Sequence, residues 1–150
     1  MANDAQPPAA PQPLPPYGGP LTLEAARRVM AAADAEARAN GWSMAIAIVD
    51  AGGHLVLFQK ADHTNLGAVA FAQRKAQTSA LFRRSTKIFE DVVTNTPGGM
   101  RMFSLGPELV AVEGGVPLIE GGAIVGAIGV AGMQSAQDGQ VAAAGARALG

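Results

Sequence analysis

A chain of 150 residues with a net charge of −1 has room for one domain, and 49 % apolar residues fill a core readily. The near-neutral balance and the lack of a basic block exclude nucleic acid as the expected partner, and the absence of cysteine excludes disulfides, thiolate metal sites and a cysteine nucleophile. Charged residues make up 15 %, against roughly 25 % in an ordinary soluble domain, so part of the surface needs a cover and an even-numbered homo-oligomer is expected.

Seven of the ten prolines fall within residues 1–20. Proline fixes φ and donates to no ladder, so this stretch reads as an extended or disordered arm, either untethered or laid across a neighbouring subunit, ahead of one domain over 21–150. The arm has neither lysine nor arginine and no continuous apolar core, so it does not read as a secretory signal. No run approaches the ~18 apolar residues of a membrane span. A cytoplasmic protein without a membrane partner is expected.

Thr22 is placed to cap a first helix, with Glu24 in its first turn and Leu23, Ala26, Val29, Met30 and Ala33 on one stripe, and Asn40-Gly41 ends it. Ser43–Val49 and His54–Phe58 flank Asp50-Ala-Gly-Gly53 and predict a hairpin. A long helix is expected from Thr64 or Asn65 to Phe82, then a shorter one capped by Ser85 or Thr86 and ending near Val93. The Pro97-Gly98-Gly99 stretch marks a loop over 95–106. Three further strands are predicted around Leu109–Val112, Val116–Ile119 and Ala123–Ala131, with a last helix over about Ala136–Leu149. Hairpin connections dominate, so the class is α/β in the α+β sense: an antiparallel sheet of five strands with helices packed on it.

Several chemistries fail on spacing. Gly126, Gly129 and Gly132 lie inside the last predicted strand, not between a strand and a helix, and no acid follows about 20 residues on, so they are no dinucleotide fingerprint. Glycine in a strand more often lets a helix or a neighbouring subunit come close. His54 and His63 are the only histidines and form no zinc motif, so no metal site built by the protein alone is expected. No serine sits in a nucleophile elbow.

The remaining residues with chemistry could meet in a pocket beside the long helix. His63 precedes that helix, whose free N–H groups attract anions, although a solvated loop histidine is the plainer reading. Lys75 and Thr78 are three apart and share a face. Arg84 lies just past the helix end, where a cation suits the dipole with or without a ligand. Glu113-Gly114-Gly115 could bring backbone close to a ligand or merely turn the chain.

Five separated segments resemble the GlcG/HbpS family: LTLEAARRVMAAADAEARANGW (21–42), AIAIVDAGGHLVLF (45–58), RKAQTSALF (74–82), VEGGVPLI (112–119) and GAIVGAIGVAGMQSAQDGQVAAAGARAL (122–149). The resemblance implies a profilin-like fold, a five-stranded antiparallel sheet flanked by helices, assembled into oligomers. It also implies haem or a related tetrapyrrole as ligand, in pockets partly formed at subunit contacts. The family's K-A-x-T and following threonine correspond to Lys75, Thr78 and Thr86. Two departures stand out: the usual G-V-S-G reads Gly129-Val130-Ala131-Gly132, and the usual D-E reads Asp138-Gly139. The connection ADHTNLGAVAF (61–71) also differs from the common D-G-A pattern.

Two expectations of different class follow. A haem-binding protein would use His63 as candidate iron ligand, with Lys75, Thr78, Arg84, Thr86, Glu113, Gly114 and Gly115 lining the site and a cation meeting a propionate. An enzyme or accessory factor for a small organic acid or carbonyl compound would use His63, Lys75 and Glu113 as acid–base candidates.

Overall fold

The computed structural model of the protein describes residues 13–150; the first twelve residues of the proline-rich arm lie outside them. Four helices and four strands follow in the order α1 (Leu23–Ala39), β1 (Ala45–Asp50), β2 (Leu55–Lys60), α2 (Ala68–Phe82), α3 (Thr86–Asn95), β3 (Gly115–Glu120), β4 (Ala123–Ala131) and α4 (Ser135–Arg147). A 3-10 helix, Gly99–Leu105, occupies the expected loop. The sheet runs β2-β1-β4-β3, every neighbour antiparallel. Pro117, which cannot donate to a ladder, sits on the edge strand β3.

Thr22 caps α1 as its position suggests, its hydroxyl accepting from Ala25 N at 3.1 Å. The two faces of the sheet then bury different side chains. Ile46 and Ile48 of β1, with Ile128 and Val130 of β4, pack beneath α1 and α4. Ala45, Ala47, Val49, Ala127 and Ala131 face α2, which answers with Ala68, Ala72, Ala76 and Ala80. Small residues on both sides bring α2 unusually close. A Cβ at Gly129 would collide with Ala72 O and lie 2.5 Å from Ala76 N, so this strand glycine serves close helix approach, one of the two uses expected of it.

The sheet has four strands, not five. Leu109, Val110 and Ala111 are buried, but in a loop packed partly against Phe89 of α3. Thr78 holds this loop: its hydroxyl accepts from Val110 N at 3.0 Å and donates to Glu108 O at 2.9 Å. A side chain thus takes the groups that a strand would give to a ladder. The apolar run reports burial, which a buried loop and a strand share. Helix α2 also begins later than expected, because Asn65 Oδ1 accepts from Ala68 N at 2.9 Å and turns at 62–63 and 66–67 precede it.

The described part of the arm lies on its own chain. Ile124 N donates to Pro16 O at 2.8 Å and Gly18 N to Ile124 O at 2.7 Å, where β4 extends beyond the end of β1. The Tyr17 hydroxyl donates towards Ala80 O at 3.0 Å, and the Arg83 guanidinium lies 5.4 Å from the Tyr17 ring centroid.

Candidate functional site

Lys75 sits within α2, flanked along the helix by alanines pressed against the sheet, and it is completely buried. Its ammonium donates to Asp138 Oδ2 at 2.8 Å and to Val130 O at 3.0 Å, and lies 4.8 Å from the Phe71 ring centroid. Burial pulls the lysine below its ordinary pKa and pushes the Asp138 carboxyl above the usual range, while their hydrogen bond opposes both shifts. The other carboxylate oxygen, Oδ1, accepts from Met133 N at 3.1 Å. One buried pair therefore ties α2, the end of β4 and the first turn of α4 together.

The approach to β3 closes over the same pair. A Cβ at Gly114 would stand 2.7 Å from Lys75 Nζ and 2.6 Å from Val130 O, and φ there is +133°. Gly114 O accepts from Val130 N at 2.9 Å, and Gly115 N donates to the Thr86 hydroxyl at 2.8 Å. Lys75, Thr86, Gly114, Gly115 and Asp138 thus form one cluster, while Thr78 holds the neighbouring 108–110 loop. Lys75, Thr78 and Thr86 are all committed to internal partners, so the geometry gives them positioning roles.

Glu113 is half-buried, with its side chain folded where α4 has no side chain of its own: a Cβ at Gly139 would collide with Glu113 Oε1. Desolvation pushes its pKa up, Lys87 opposes the shift, and Glu90 and Asp91 add to it. Asp138-Gly139 therefore accommodates a carboxylate from position 113 beside the buried pair.

His63 is exposed, with a left-handed backbone at φ 65°. Its ring makes no hydrogen bond with any described residue. Asn65 Nδ2 donates to Gly132 O at 3.3 Å, setting this loop against Gly132-Met133, whose second residue is the one held by Asp138. Leu66 is 81 % exposed and Met133 42 %, so an open imidazole and two open apolar side chains occupy neighbouring segments. Arg84 lies beyond the opposite end of α2, a helix of 15 residues and about 22 Å. There its Nε donates to Phe82 O at 3.1 Å and its guanidinium lies 5.7 Å from the Phe89 ring centroid. The expected pocket joining His63, Lys75, Arg84 and Glu113 is therefore resolved into three separate places.

Sequence reasoning missed Asp138 as the partner of Lys75, gave Asn65 only as a helix start, and missed Met133 altogether. A usable signal existed for the first: a lone lysine among alanines on a helix destined for the sheet needs a carboxylate, since buried charges are paired. No group of three or more His, Asp or Glu side chains among the described residues is placed to hold a metal ion. No helix among them is long and apolar enough to cross a membrane.

These features define an α+β domain built on a four-stranded antiparallel sheet, with a buried lysine–aspartate pair under the end of its last strand. The chain belongs to the family described as haem degrading protein HbpS-like, whose model matches residues 21–147. It is 43 % identical over 110 residues to protein GlcG of Escherichia coli strain K12, covering 73 % of this chain and 80 % of that one. A double mutant of HbpS from Streptomyces reticuli superposes with a TM-score of 0.77 at 31 % identity, covering 94 % of this chain and 99 % of the other. The PduOC:haem complex superposes with a TM-score of 0.78 at 25 % identity, covering 87 % and 96 %.

Proposed function

We propose that this chain is a homo-oligomeric binding protein for haem or a related tetrapyrrole, with the His63 loop as its iron-facing surface. The observation that carries the reading is the open imidazole of His63 on a loop that Asn65 ties to Gly132, with Leu66 and Met133 exposed on the two joined segments, in a chain similar over most of its length to one solved with haem. Imidazole and thioether are both established haem ligands, and a macrocycle face needs apolar cover. The buried Lys75–Asp138 pair supports this surface from behind, because Asp138 fixes Met133 N and Asn65 ties the histidine loop to Gly132.

Titrating haem into the wild-type protein should give a saturable Soret shift. His63→Ala should weaken binding by roughly tenfold or more and change the band, since tenfold corresponds to about 1.4 kcal/mol. His54→Ala should leave both unchanged, because His54 sits on the β1–β2 turn, bonded to Asp50 at 3.2 Å. No saturable shift in wild type rejects haem, and a shift indifferent to His63→Ala rejects the proposed surface.

A second exposed region supports the oligomer. Ile88 of α3 and Met100, Phe103 and Leu105 of the 3-10 helix are 46–66 % exposed, and α3 packs against that helix. A second copy covering them removes this surface from water. Light scattering at micromolar concentration should report at least a dimer; a particle of one chain's mass overturns this part of the reading.

A further inference from the structure

A cleft of about 550 Å³ opens between the end of α1, the segment leading into β1 and the end of β2, separate from the Lys75 cluster. Its apolar wall comes from Ala37, Met44 and Ile46, and Trp42 is half-buried, packing on the core while lining the cleft. That volume falls within the ordinary range for small-molecule sites.

The charges around it balance, Asp34 and Asp62 against Arg38 and Lys60, but the side-chain groups left without a partner do not. Asp34 is engaged on both oxygens: Oδ1 accepts from Gln59 Nε2 and Oδ2 forms an ion pair with Arg38 Nε, each at 2.8 Å. Arg38 spends only Nε on that pair, so its two terminal amino groups remain. Lys60 Nζ, the Trp42 indole N–H and the Ser43 hydroxyl form no hydrogen bond or ion pair with any described residue. Besides Gln59, whose amide is spent on Asp34, four side chains with unpartnered donors surround the cleft, against one unpaired carboxylate, Asp62, among its described lining. Such a site suits an acceptor with negative charge and a flat apolar body, since a guanidinium and an ammonium both bond strongly to carboxylate while an indole offers a stacking surface.

We propose that this cleft binds a small aromatic carboxylate, through groups distinct from those of the haem surface although Ala61 and Asp62 of its lining adjoin His63. Trp42 is the only tryptophan in the chain, so intrinsic fluorescence reads the cleft directly. Benzoate, added to ligand-free protein, should change that fluorescence saturably, while the neutral isostere benzamide should bind at least tenfold more weakly. Arg38→Gln and Lys60→Gln should each weaken benzoate binding several-fold or more. Both positions are on the surface, so the variants should fold, and both should leave the haem titration unchanged. Equal response to benzoate and benzamide, or no saturable response to benzoate, overturns the proposal. If benzoate fails to bind and Arg38→Gln also abolishes the Soret shift, the cleft is instead part of the haem site, and independence is lost. Failure of wild type to bind haem, with benzoate still binding, would reject the haem reading and leave this one standing.

Discussion

Replacing Lys75 with methionine should destabilise the fold by about 3–5 kcal/mol, because it strips the counter-charge from a carboxylate buried beneath β4. For a chain of this length that corresponds to a fall in Tm on the order of 10 °C. The loss should depend on pH with a definite sign. Burial already raises the Asp138 pKa, and without the ammonium nothing opposes it but the Met133 N–H. A carboxyl whose folded pKa exceeds its unfolded value contributes stability that is present at low pH and is lost as pH rises through the folded pKa. The Lys75→Met variant should therefore come closest to wild type near pH 4 and fall away towards neutrality. Adding Asp138→Leu should cost less than the two single changes summed, by about 1–3 kcal/mol of coupling. Full recovery is not expected, because Val130 O and Met133 N lose partners as well. Urea denaturation of the four proteins between pH 4 and 8 measures both effects. Strict additivity, or a loss that is flat with pH, would show that the pair carries no structural charge interaction.

Much of the framework was legible from short-range chemistry. Thr22, the Asp50–Gly53 turn and Ser85 each act on neighbours a few positions away, and the elements they predict are present. Leu109–Val112 misled because an apolar run encodes burial without encoding the partner of its N–H groups; here that partner is the Thr78 hydroxyl, 32 residues away from Val110. Distance along the chain hid the site in the same manner. Lys75 and Asp138 are 63 residues apart, and although a lysine among alanines calls for a buried carboxylate, nothing local says that Asp138 is the one. Position 63 illustrates the intermediate case. Its place before α2 was readable, whereas the surface it shares with Met133 depends on one Asn65 bond to Gly132. The Trp42 cleft depends on three segments converging and left no motif at all.

Gly129→Ala should be among the most damaging single-methyl additions in this protein. Its Cβ would enter the seam between β4 and α2, colliding with Ala72 O and standing 2.5 Å from Ala76 N and 3.0 Å from Ala76 Cβ. The first two obstacles are backbone atoms of a helix, so no side-chain rotation relieves the contact. Strand β4 cannot retreat either, since it is hydrogen-bonded to β1 on one side and β3 on the other. Helix α2 must move off the sheet, opening the alanine-lined layer and drawing Lys75 away from Val130 O and Asp138. Overpacking of a well-filled core costs about 1–3 kcal/mol, and the strained ion pair should place this change at or above the upper end. Gly19→Ala is the matching control: no heavy atom lies within 4 Å of its added methyl, and its backbone is not in the left-handed region. It should stay within about 0.5 kcal/mol of wild type. The expected sequence of urea midpoints is Gly19→Ala close to wild type and Gly129→Ala far below it. A Gly129→Ala protein as stable as the control would mean that α2 does not press on β4 as described. Because α2 also anchors the turn carrying His63, the same variant should weaken the Soret shift on haem titration even under conditions where it remains folded.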